Sequence, residues 1–283
     1  MTDGYELGNG IVMTRAHITD ITPRPGSILR FRVHAPLISQ MRPRGLAPVF
    51  KIFTARSRDA RLTLPTFDEH QLALPTWESD PSRPIARAYT ALCFVPGADH
   101  IIFDALDLGA AASWVHRARI GDTVGVIGFK HEFIVDDTVD SVLLVGDRST
   151  SPAVDEILRS CPDRARTTVL PTDVSFDDGD SWETRMQSAL VGAGDHTSVW
   201  IAGEVDLVAA GRRIAIASGV PGSRIVSLPY WHRDLSREDF DRVLYRRYQR
   251  AAEAGLEISD PEIAAQIELS RAEPTELHAI GSY

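Results

Sequence analysis

The sequence predicts two successive folding units, an antiparallel β-barrel and an α/β domain with a parallel sheet, followed by a C-terminal helical extension. Three observations predict this order. Short strand-like segments separated by turn residues fill the first half, strand and helix patterns alternate in the second half, and an amphipathic helical pattern follows. The predicted bounds are residues 1–137, 138–235 and 236–283. A length of 283 residues fits two domains.

The barrel is predicted from alternating apolar and polar residues. Leu29, Phe31 and Val33 alternate with basic residues, which is the period of a half-buried strand. Further apolar runs predict strands at residues 49–53, 87–95, 100–106 and 123–127. One helix is predicted at residues 110–118. The polar, proline-bearing stretch 54–84 predicts a long loop, and loops of that length are usually functional or mobile.

The α/β domain is predicted from a change of rhythm. Residues 139–145 form a near-continuous apolar run, which is typical of a strand covered on both faces. The predicted elements that follow are a helix at 152–160, a strand at 167–170, a helix at 181–190, a strand at 198–202, a helix at 207–218 and a strand at 224–228. This alternation indicates a parallel sheet with helices on its faces.

The tail from Ser236 is predicted to be helical. Residues 236–239 resemble a helix-capping box, an apolar stripe at helical spacing follows, and a second helix is predicted after Pro261. We expect these helices to pack on the barrel or on a second subunit, in a protein that is a monomer or a homodimer.

Composition excludes several classes of function. A net charge of -9 argues against a nucleic-acid partner, which normally meets a basic face. No apolar run approaches the roughly 20 residues that span a bilayer, so no membrane insertion is expected. Cys93 and Cys161 lie far apart and fit a reducing compartment, and no secretory signal precedes them, so the expected location is the cytoplasm. The nine histidines show no metal-ligand spacing, and no metal site is expected.

The first candidate site lies on a predicted strand, at Arg87-Ala88-Tyr89-Thr90. Alternation places Arg87 and Tyr89 on one face and Thr90 on the other. This combination suits a flavin, because an arginine pairs with a pyrophosphate, a tyrosine ring stacks on an aromatic ring system and a hydroxyl hydrogen-bonds a ring nitrogen. The alternative is an ordinary strand with one arginine at its edge, since aromatic and β-branched residues are common in strands.

The second candidate site is the small-residue turn Gly109-Ala110-Ala111-Ala112-Ser113-Trp114, which opens a predicted helix. Backbone N–H groups at the start of a helix form a ready anion site, so this turn is a candidate for binding a diphosphate. Plain helix initiation is the alternative.

Two further candidates follow buried strands of the predicted parallel sheet. Gly146, Asp147 and Ser149 follow one strand, and Gly203 and Glu204 end another. Ligands of open α/β sheets bind at the carboxyl ends of strands, so both segments are candidates for one nicotinamide nucleotide crevice. Neither segment has the G-x-G-x-x-G fingerprint.

Taken in order, these segments resemble the siderophore-interacting proteins, a family of FAD-dependent ferric-siderophore reductases in the ferredoxin-reductase-like superfamily. The family pattern reads R-x-Y-T-x-R, H-G-x-x-G-P-A-S-x-W, G-D, G-D-E-T-A-x-P-A, W-x-A-G-E and a late Y-W. The matching segments here are 87–90, 109–114, 121–122, 145–147, 200–204 and 230–231, and the resemblance covers roughly residues 15–233.

The resemblance implies a flavin-binding-type barrel that holds FAD, a second domain that admits NAD(P)H, and a small-molecule ligand, a ferric siderophore whose iron leaves as Fe(II). It implies flavin contacts from Arg87, Tyr89 and Thr90. It further implies a diphosphate site at Gly109, Ala111, Ala112, Ser113 and Trp114, a nucleotide crevice at Gly146, Asp147, Ser149, Gly203 and Glu204, and positions near the flavin face for Tyr230 and Trp231. The implied catalytic residues are Tyr89, Thr90 and Trp231. Charge alone motivates Lys130, His131 and Arg233 as groups that attract an anionic ligand.

The chain departs from the family pattern where the diphosphate is expected. Leu92 replaces the second arginine, Asp107 lies near the place of the family histidine, and Ala112 removes a hydroxyl donor. Each lost charged hydrogen bond costs about 1.5–3 kcal/mol, so weak or absent FAD binding is one expectation. The alternative function is therefore a repurposed homologue, either a flavin-independent biosynthetic enzyme such as a cyclase or isomerase, or a module that binds another metabolite.

Overall fold

The computed structural model of the chain describes residues 4–8, 11–67, 80, 82–106, 114–173, 180–271 and 276, without the side chains of residues 5–8 and 130–132. It divides into two compact units, Met1–Ile134 and Val135–Tyr283.

The first unit is an antiparallel β structure, as the sequence predicted. Its strands are β1 (Gly4–Gly8), β2 (Ile11–Arg24), β3 (Ile28–His34), β4 (Leu46–Thr54), β5 (Ile85–Thr90), β6 (His100–Leu106) and β7 (Thr123–Phe133). They form one sheet in the order β5-β4-β7-β2-β3-β6, and β1 pairs with β2. Every pairing is antiparallel.

Strand β2 was not predicted, although it pairs with β1, β3 and β7. It starts with apolar residues and then places Thr, Arg, His and Asp among them, so neither a clean alternation nor a continuous apolar run marks it. Its buried side chains include Val12, Ala16 and Ile18, which belong to the barrel core. Burial of these side chains in the barrel core stabilises the strand, and the local residue pattern does not reveal it.

The predicted strand at residues 87–95 is shorter in the structure. Strand β5 ends at Thr90, and Leu92 forms only an isolated bridge with Ile102. Cys93 has a φ of 48°, a backbone conformation that interrupts a strand. Of the predicted helix at 110–118, residues from Trp114 onward form a turn, and the earlier ones lie outside the described residues. Residues 55–67 carry no helix or strand beyond a single bridge at the end, as expected for a long loop.

The second unit alternates strands and helices around a parallel sheet, as predicted. Its elements are β8 (Ser141–Gly146), α1 (Ser151–Ser160), β9 (Arg166–Pro171), α2 (Trp182–Ala189), β10 (Thr197–Glu204), α3 (Val205–Ala217), β11 (Ile225–Trp231), α4 (Arg237–Glu253) and α5 (Pro261–Leu269). The strand order is β11-β10-β8-β9, and all pairs are parallel.

This strand order creates a topological switch point between β8 and β10. The chain leaves β8 for β9 on one side and later returns to place β10 on the other side. Connections that depart in opposite directions leave a crevice outside the carboxyl ends of the two strands, which is where open α/β sheets bind ligands. Gly146 ends β8 and Glu204 ends β10, so two predicted site segments flank the switch point.

The C-terminal helices pack on the parallel-sheet unit. Helix α5 contacts α3, α4 and β11. The guanidinium of Arg212 on α3, which is 8% exposed, donates to the Glu262 carboxylate of α5 at 2.5 Å and to the Ile225 carbonyl at 3.4 Å. Helix α5 thus packs on the sheet of its own unit, a contact that the sequence did not predict, and packing on the barrel or on a second subunit stays a prediction. In the described part of the chain, every helix is too short or too polar to cross a membrane.

Candidate functional site

In the first unit, Arg87 and Tyr89 lie on one face of β5, as alternation predicted. Tyr89 pairs with Phe50 of β4, and Arg87 pairs with Ile52. Phe50 and Ile52 belong to the barrel core, so the face that carries Arg87 and Tyr89 is the inner one. Thr90 lies on the opposite face and is 8% exposed. Both Arg87 and Tyr89 are half-buried and keep a part of their surface accessible.

The Tyr89 ring belongs to an aromatic cluster of the barrel. Its centroid lies 4.8 Å from the ring of Phe103 and 5.9 Å from that of Trp114. The Trp114 indole Nε1–H donates to the Tyr89 hydroxyl at 3.0 Å. Burial of the hydroxyl raises the pKa of Tyr89 to about 12, so the group is neutral at physiological pH. The neutral hydroxyl therefore belongs to the aromatic cluster, where it accepts the Trp114 indole N–H.

The two residues of this face are of the types that bind a flavin dinucleotide, a cationic side chain and an aromatic one. The Arg87 Nη1 donates to the adjacent Ala86 carbonyl at 2.7 Å, and this bond holds the half-buried guanidinium close to its own strand. An arginine side chain pairs with diphosphates through its planar fork of donors. The aromatic surface of Tyr89 lies two residues away on the same face. A cationic donor and an aromatic ring are therefore combined on one strand.

Several predicted barrel residues cannot be placed in this arrangement. Gly109, Ala111, Ala112 and Ser113 lie outside the described residues. Lys130 and His131 lie on strand β7, and their side chains lie outside the description as well. Their proposed roles stay predictions.

In the second unit, the carboxylate of Asp147 joins three chain segments at the carboxyl end of the sheet. One oxygen accepts from the backbone N–H and the hydroxyl of Ser149, at 2.8 and 2.5 Å. The other accepts from the backbone N–H of Glu204 and from the indole Nε1–H of Trp231, both at 2.9 Å. We call this four-donor arrangement the Asp147 clasp. It ties the ends of β8, β10 and β11 together.

Two glycines make the clasp sterically possible. Gly203 has a φ of 133°, and a Cβ at this position would collide with the Asp147 carboxylate. A Cβ at Gly146 would collide with the side chain of Thr150. The Thr150 hydroxyl donates to the Asp147 carbonyl at 2.7 Å and fixes the turn that follows β8. Both glycines were predicted as ligand-contacting residues, and in the structure their missing side chains admit other parts of the protein.

A second carboxylate caps the helix that follows β10. The Glu204 side chain is 5% exposed and accepts from the backbone N–H groups of Asp206 at 2.8 Å and Leu207 at 3.4 Å. Its other oxygen accepts from the backbone N–H of Arg233 at 3.3 Å. Acidic side chains at this position stabilise a helix, because they satisfy free N–H groups at the positive end of the helix dipole. Glu204 is thus the N-cap of α3.

Trp231 presents an aromatic surface at the same end of the sheet. Its side chain is 40% exposed, although its N–H is bound to the Asp147 clasp. Tyr230 packs edge-on against the buried Trp200, with 6.5 Å between the ring centroids. The predicted residues Gly146, Asp147, Ser149, Gly203, Glu204 and Trp231 are therefore brought together, and the backbone of Arg233 joins them.

Asp173 belongs to this end of the sheet and was not predicted. It follows β9, and its carboxylate accepts from the backbone N–H of Arg148 at 3.0 Å. Its place after a parallel strand is the signal that was available, because the carboxyl ends of all parallel strands meet at one edge. In the described residues, no group of three or more His, Cys, Asp or Glu side chains is placed to hold a metal ion.

The described residues at this end do not fit the diphosphate of a nicotinamide dinucleotide. Such a diphosphate is normally bound by free backbone N–H groups at a helix start. Here the N–H groups of Arg148, Ser149, Asp206 and Leu207 already donate to carboxylates of the protein.

Comparison with known proteins shows the fold. No protein-family profile and no curated protein matches the chain. Among solved structures, a siderophore utilization protein from T. fusca matches at 18% identity with a TM-score of 0.59, covering 80% of this chain and 95% of that chain. The siderophore-interacting protein from Acinetobacter baumannii matches at 18% identity and a TM-score of 0.59, covering 86% and 99%.

A third structure extends the likeness beyond siderophore proteins. The ferredoxin reductase of carbazole 1,9a-dioxygenase matches at 14% identity with a TM-score of 0.51, covering 77% of this chain and 65% of that chain. The antiparallel first unit and the parallel second unit described above account for this likeness. The chain has the ferredoxin-reductase-like fold and, among proteins of that fold, is similar in structure to the siderophore-interacting proteins.

Proposed function

We propose that this chain is a flavin-binding oxidoreductase that reduces a ferric chelate and releases Fe(II). The observation that carries the proposal is that the half-buried Arg87 and the aromatic Tyr89 lie on the same face of β5. The likeness to a siderophore-interacting protein and to a siderophore utilization protein supports a ferric siderophore as the class of substrate. The predicted reductant is NAD(P)H.

Each barrel residue has a distinct part in this proposal. Arg87 supplies the positive charge for the diphosphate of FAD, and Tyr89 supplies ring surface. Trp114 holds the Tyr89 hydroxyl and thereby fixes the orientation of that ring. These residues would hold FAD, whose chemistry would link one two-electron donor to two one-electron Fe(III) acceptors. The protein contributes position and charge.

The direct test is reconstitution of the purified full-length protein with FAD. The loaded protein is photoreduced without oxygen and mixed with a ferric hydroxamate chelate, and the Fe(II) formed is trapped as a coloured complex. The proposal expects one FAD per chain and two Fe(II) per reduced flavin. A folded protein that binds no FAD, or a reduced flavoprotein that leaves the chelate oxidised, would contradict it.

Arg87→Ala separates the proposed role from a general effect on the barrel. Loss of one charged hydrogen bond costs about 1.5–3 kcal/mol, so FAD affinity should fall by about tenfold to a hundredfold. Arg32 is an exposed arginine on β3, and Arg32→Ala is the matched control, which should leave FAD affinity within about twofold. Equal losses in the two variants would remove Arg87 from the site.

A second candidate function is a flavin-independent enzyme or ligand-binding module. The observation that favours it is the hydrogen bond from Trp114 to Tyr89, because the barrel satisfies that hydroxyl and packs the ring without a cofactor. The two functions differ in one measurement. A colourless protein whose melting temperature is unchanged by saturating FAD supports the second function, and a melting temperature that rises with FAD concentration supports the first.

A further inference from the structure

We propose that the carboxyl end of the parallel sheet rejects diphosphate groups, so that a pyridine-nucleotide reductant is recognised there through its nicotinamide ring alone. The inference deepens the proposed function and rests on it for the identity of the reductant.

In the part of the chain that the structure describes, the N–H groups of residues 148–151 in the turn after β8 all donate within the protein. The N–H of Arg148 donates to the Asp173 carboxylate, and that of Ser149 donates to Asp147. The N–H of Thr150 donates to the Asp147 carbonyl at 3.0 Å, and that of Ser151 donates to the Arg148 carbonyl. A phosphate could bind these groups only by displacing two carboxylates and two carbonyls of the protein.

The start of α3, beyond β10, is occupied in the same way. Glu204 donates its N–H to Asp147, while its own carboxylate takes the N–H groups of Asp206 and Leu207. The Glu204 carboxylate therefore occupies the position in which a helix start binds an anion. Glu204 is only 5% exposed, so the fold holds its carboxylate in place. Moving this carboxylate away would leave buried N–H groups without an acceptor, which costs free energy.

The balance of charge disfavours a second anion. Asp147, Glu204 and Asp173 meet at this edge, and exposed Asp206 and Asp234 follow β10 and β11. Exposed Arg148 and Arg233 stand against these five carboxylates. The guanidinium of Arg237 also lies at the end of β11, where it donates to the Pro229 and Tyr230 carbonyls and pairs with Asp241. A diphosphate carries two negative charges, and like charges within a few ångströms repel by several kcal/mol at an effective dielectric constant near 20.

The same edge favours the binding of an uncharged or cationic aromatic ring. Trp231 is 40% exposed, and its indole N–H is bound to Asp147, so the ring is held in one orientation. Aromatic rings stack on such surfaces, and a cationic ring over tryptophan gains a further attraction. The nicotinamide ring is planar in both redox states and cationic when oxidised. This edge therefore favours the ring of the reductant over its diphosphate.

Binding to the flavin-free full chain tests the inference apart from catalysis. ADP-ribose carries the diphosphate without the nicotinamide ring, and nicotinamide riboside carries the ring without phosphate. Calorimetric titration should show ADP-ribose binding weaker than about 1 mM and nicotinamide riboside binding at least about tenfold more tightly. Saturable ADP-ribose binding below about 100 µM, or no preference for nicotinamide riboside, would overturn the inference.

Variants assign the two effects to residues. Trp231→Ala should abolish nicotinamide riboside binding, and the matched variant Trp231→Phe, which keeps a ring, should retain it within about fivefold. Glu204→Gln keeps a capping oxygen and removes a charge, so it should raise ADP-ribose affinity about tenfold. Arg148→Ala should leave both affinities within about twofold, and a loss of ADP-ribose binding in this variant would show that an arginine, not an N–H group, binds phosphate.

A kinetic comparison then separates this inference from the proposed function. On FAD-loaded protein, kcat/KM for NADH, NADPH and dihydronicotinamide riboside should agree within about tenfold, since the extra phosphates add no contact. A preference above about a hundredfold for a dinucleotide would refute the ring-only recognition while leaving the flavin reductase intact. Protein that binds no FAD refutes the proposed function, and the ADP-ribose titration still decides the inference.

Discussion

Removal of the Asp147 carboxylate should lower the free energy of unfolding of the second unit by about 2–4 kcal/mol. Asp147→Ala leaves the Glu204 N–H, at a residue 5% exposed, without an acceptor, which costs about 1–3 kcal/mol. It also removes the cap of the turn at Ser149, worth about 1 kcal/mol. The exposed Trp231 N–H regains water at little cost. The sum is about 2–4 kcal/mol.

Differential scanning calorimetry of the full chain measures this loss. For a unit of this size, each kcal/mol lowers the melting temperature by about 2–4 °C, so the transition of the second unit should fall by about 4–16 °C. Asp173 makes one such backbone contact from an exposed position, and Asp173→Ala is the control, with an expected loss of about 1 kcal/mol or less. An Asp147→Ala protein within about 1 kcal/mol of the wild type would refute the clasp as a tie between strand ends.

Three further predictions concern other parts of the fold. Gly203→Ala should lower the melting temperature by several degrees, because the position has a φ of 133° and its Cβ would meet the Asp147 carboxylate. Gly194 has open space around it, so Gly194→Ala is the control and should change stability by less than about 0.5 kcal/mol. Equal effects of the two substitutions would contradict the steric argument. Burial raises the pKa of Tyr89 to about 12, while an unfolded tyrosine titrates near 10. The unfolded state therefore loses its proton first, and stability should fall as pH rises from about 10 to 12. Tyr89→Phe should reduce that fall in urea unfolding measured across this range, and the part that remains belongs to Tyr248, whose pKa is also raised by burial. Arg212→Ala should expose α5 to hydrogen exchange, because the buried guanidinium binds that helix, and Arg213→Ala, on the exposed face, should not.

The parallel sheet was predicted almost completely from the sequence, and the barrel only in part. Residues 142–146 of β8 and 197–204 of β10 are buried on both faces, so the apolar runs that they contain stand out in the sequence. Strand β2 is buried through Val12, Ala16 and Ile18 but carries polar residues between them, so its long-range pairing with β3 and β7 leaves a weak local pattern.

The sequence predicted which residues form the candidate site, and it did not predict the hydrogen bonds that they make. The positions of Gly146, Asp147, Gly203 and Glu204 follow from the rule that strand ends meet at one edge. The sequence cannot show that Asp147 accepts four hydrogen bonds, because its donors lie as much as 84 residues away along the chain. The same carboxylates that were expected to line a dinucleotide crevice instead satisfy the protein's own N–H groups.

The flavin proposal is tested most directly by a fluorescence titration of FAD with the purified full-length protein at constant ionic strength. The account predicts quenching that saturates at one FAD per chain and that Arg87→Ala shifts to about tenfold or higher protein concentration while Arg32→Ala does not. A titration in which folded protein leaves FAD fluorescence unchanged up to about 100 µM would contradict it.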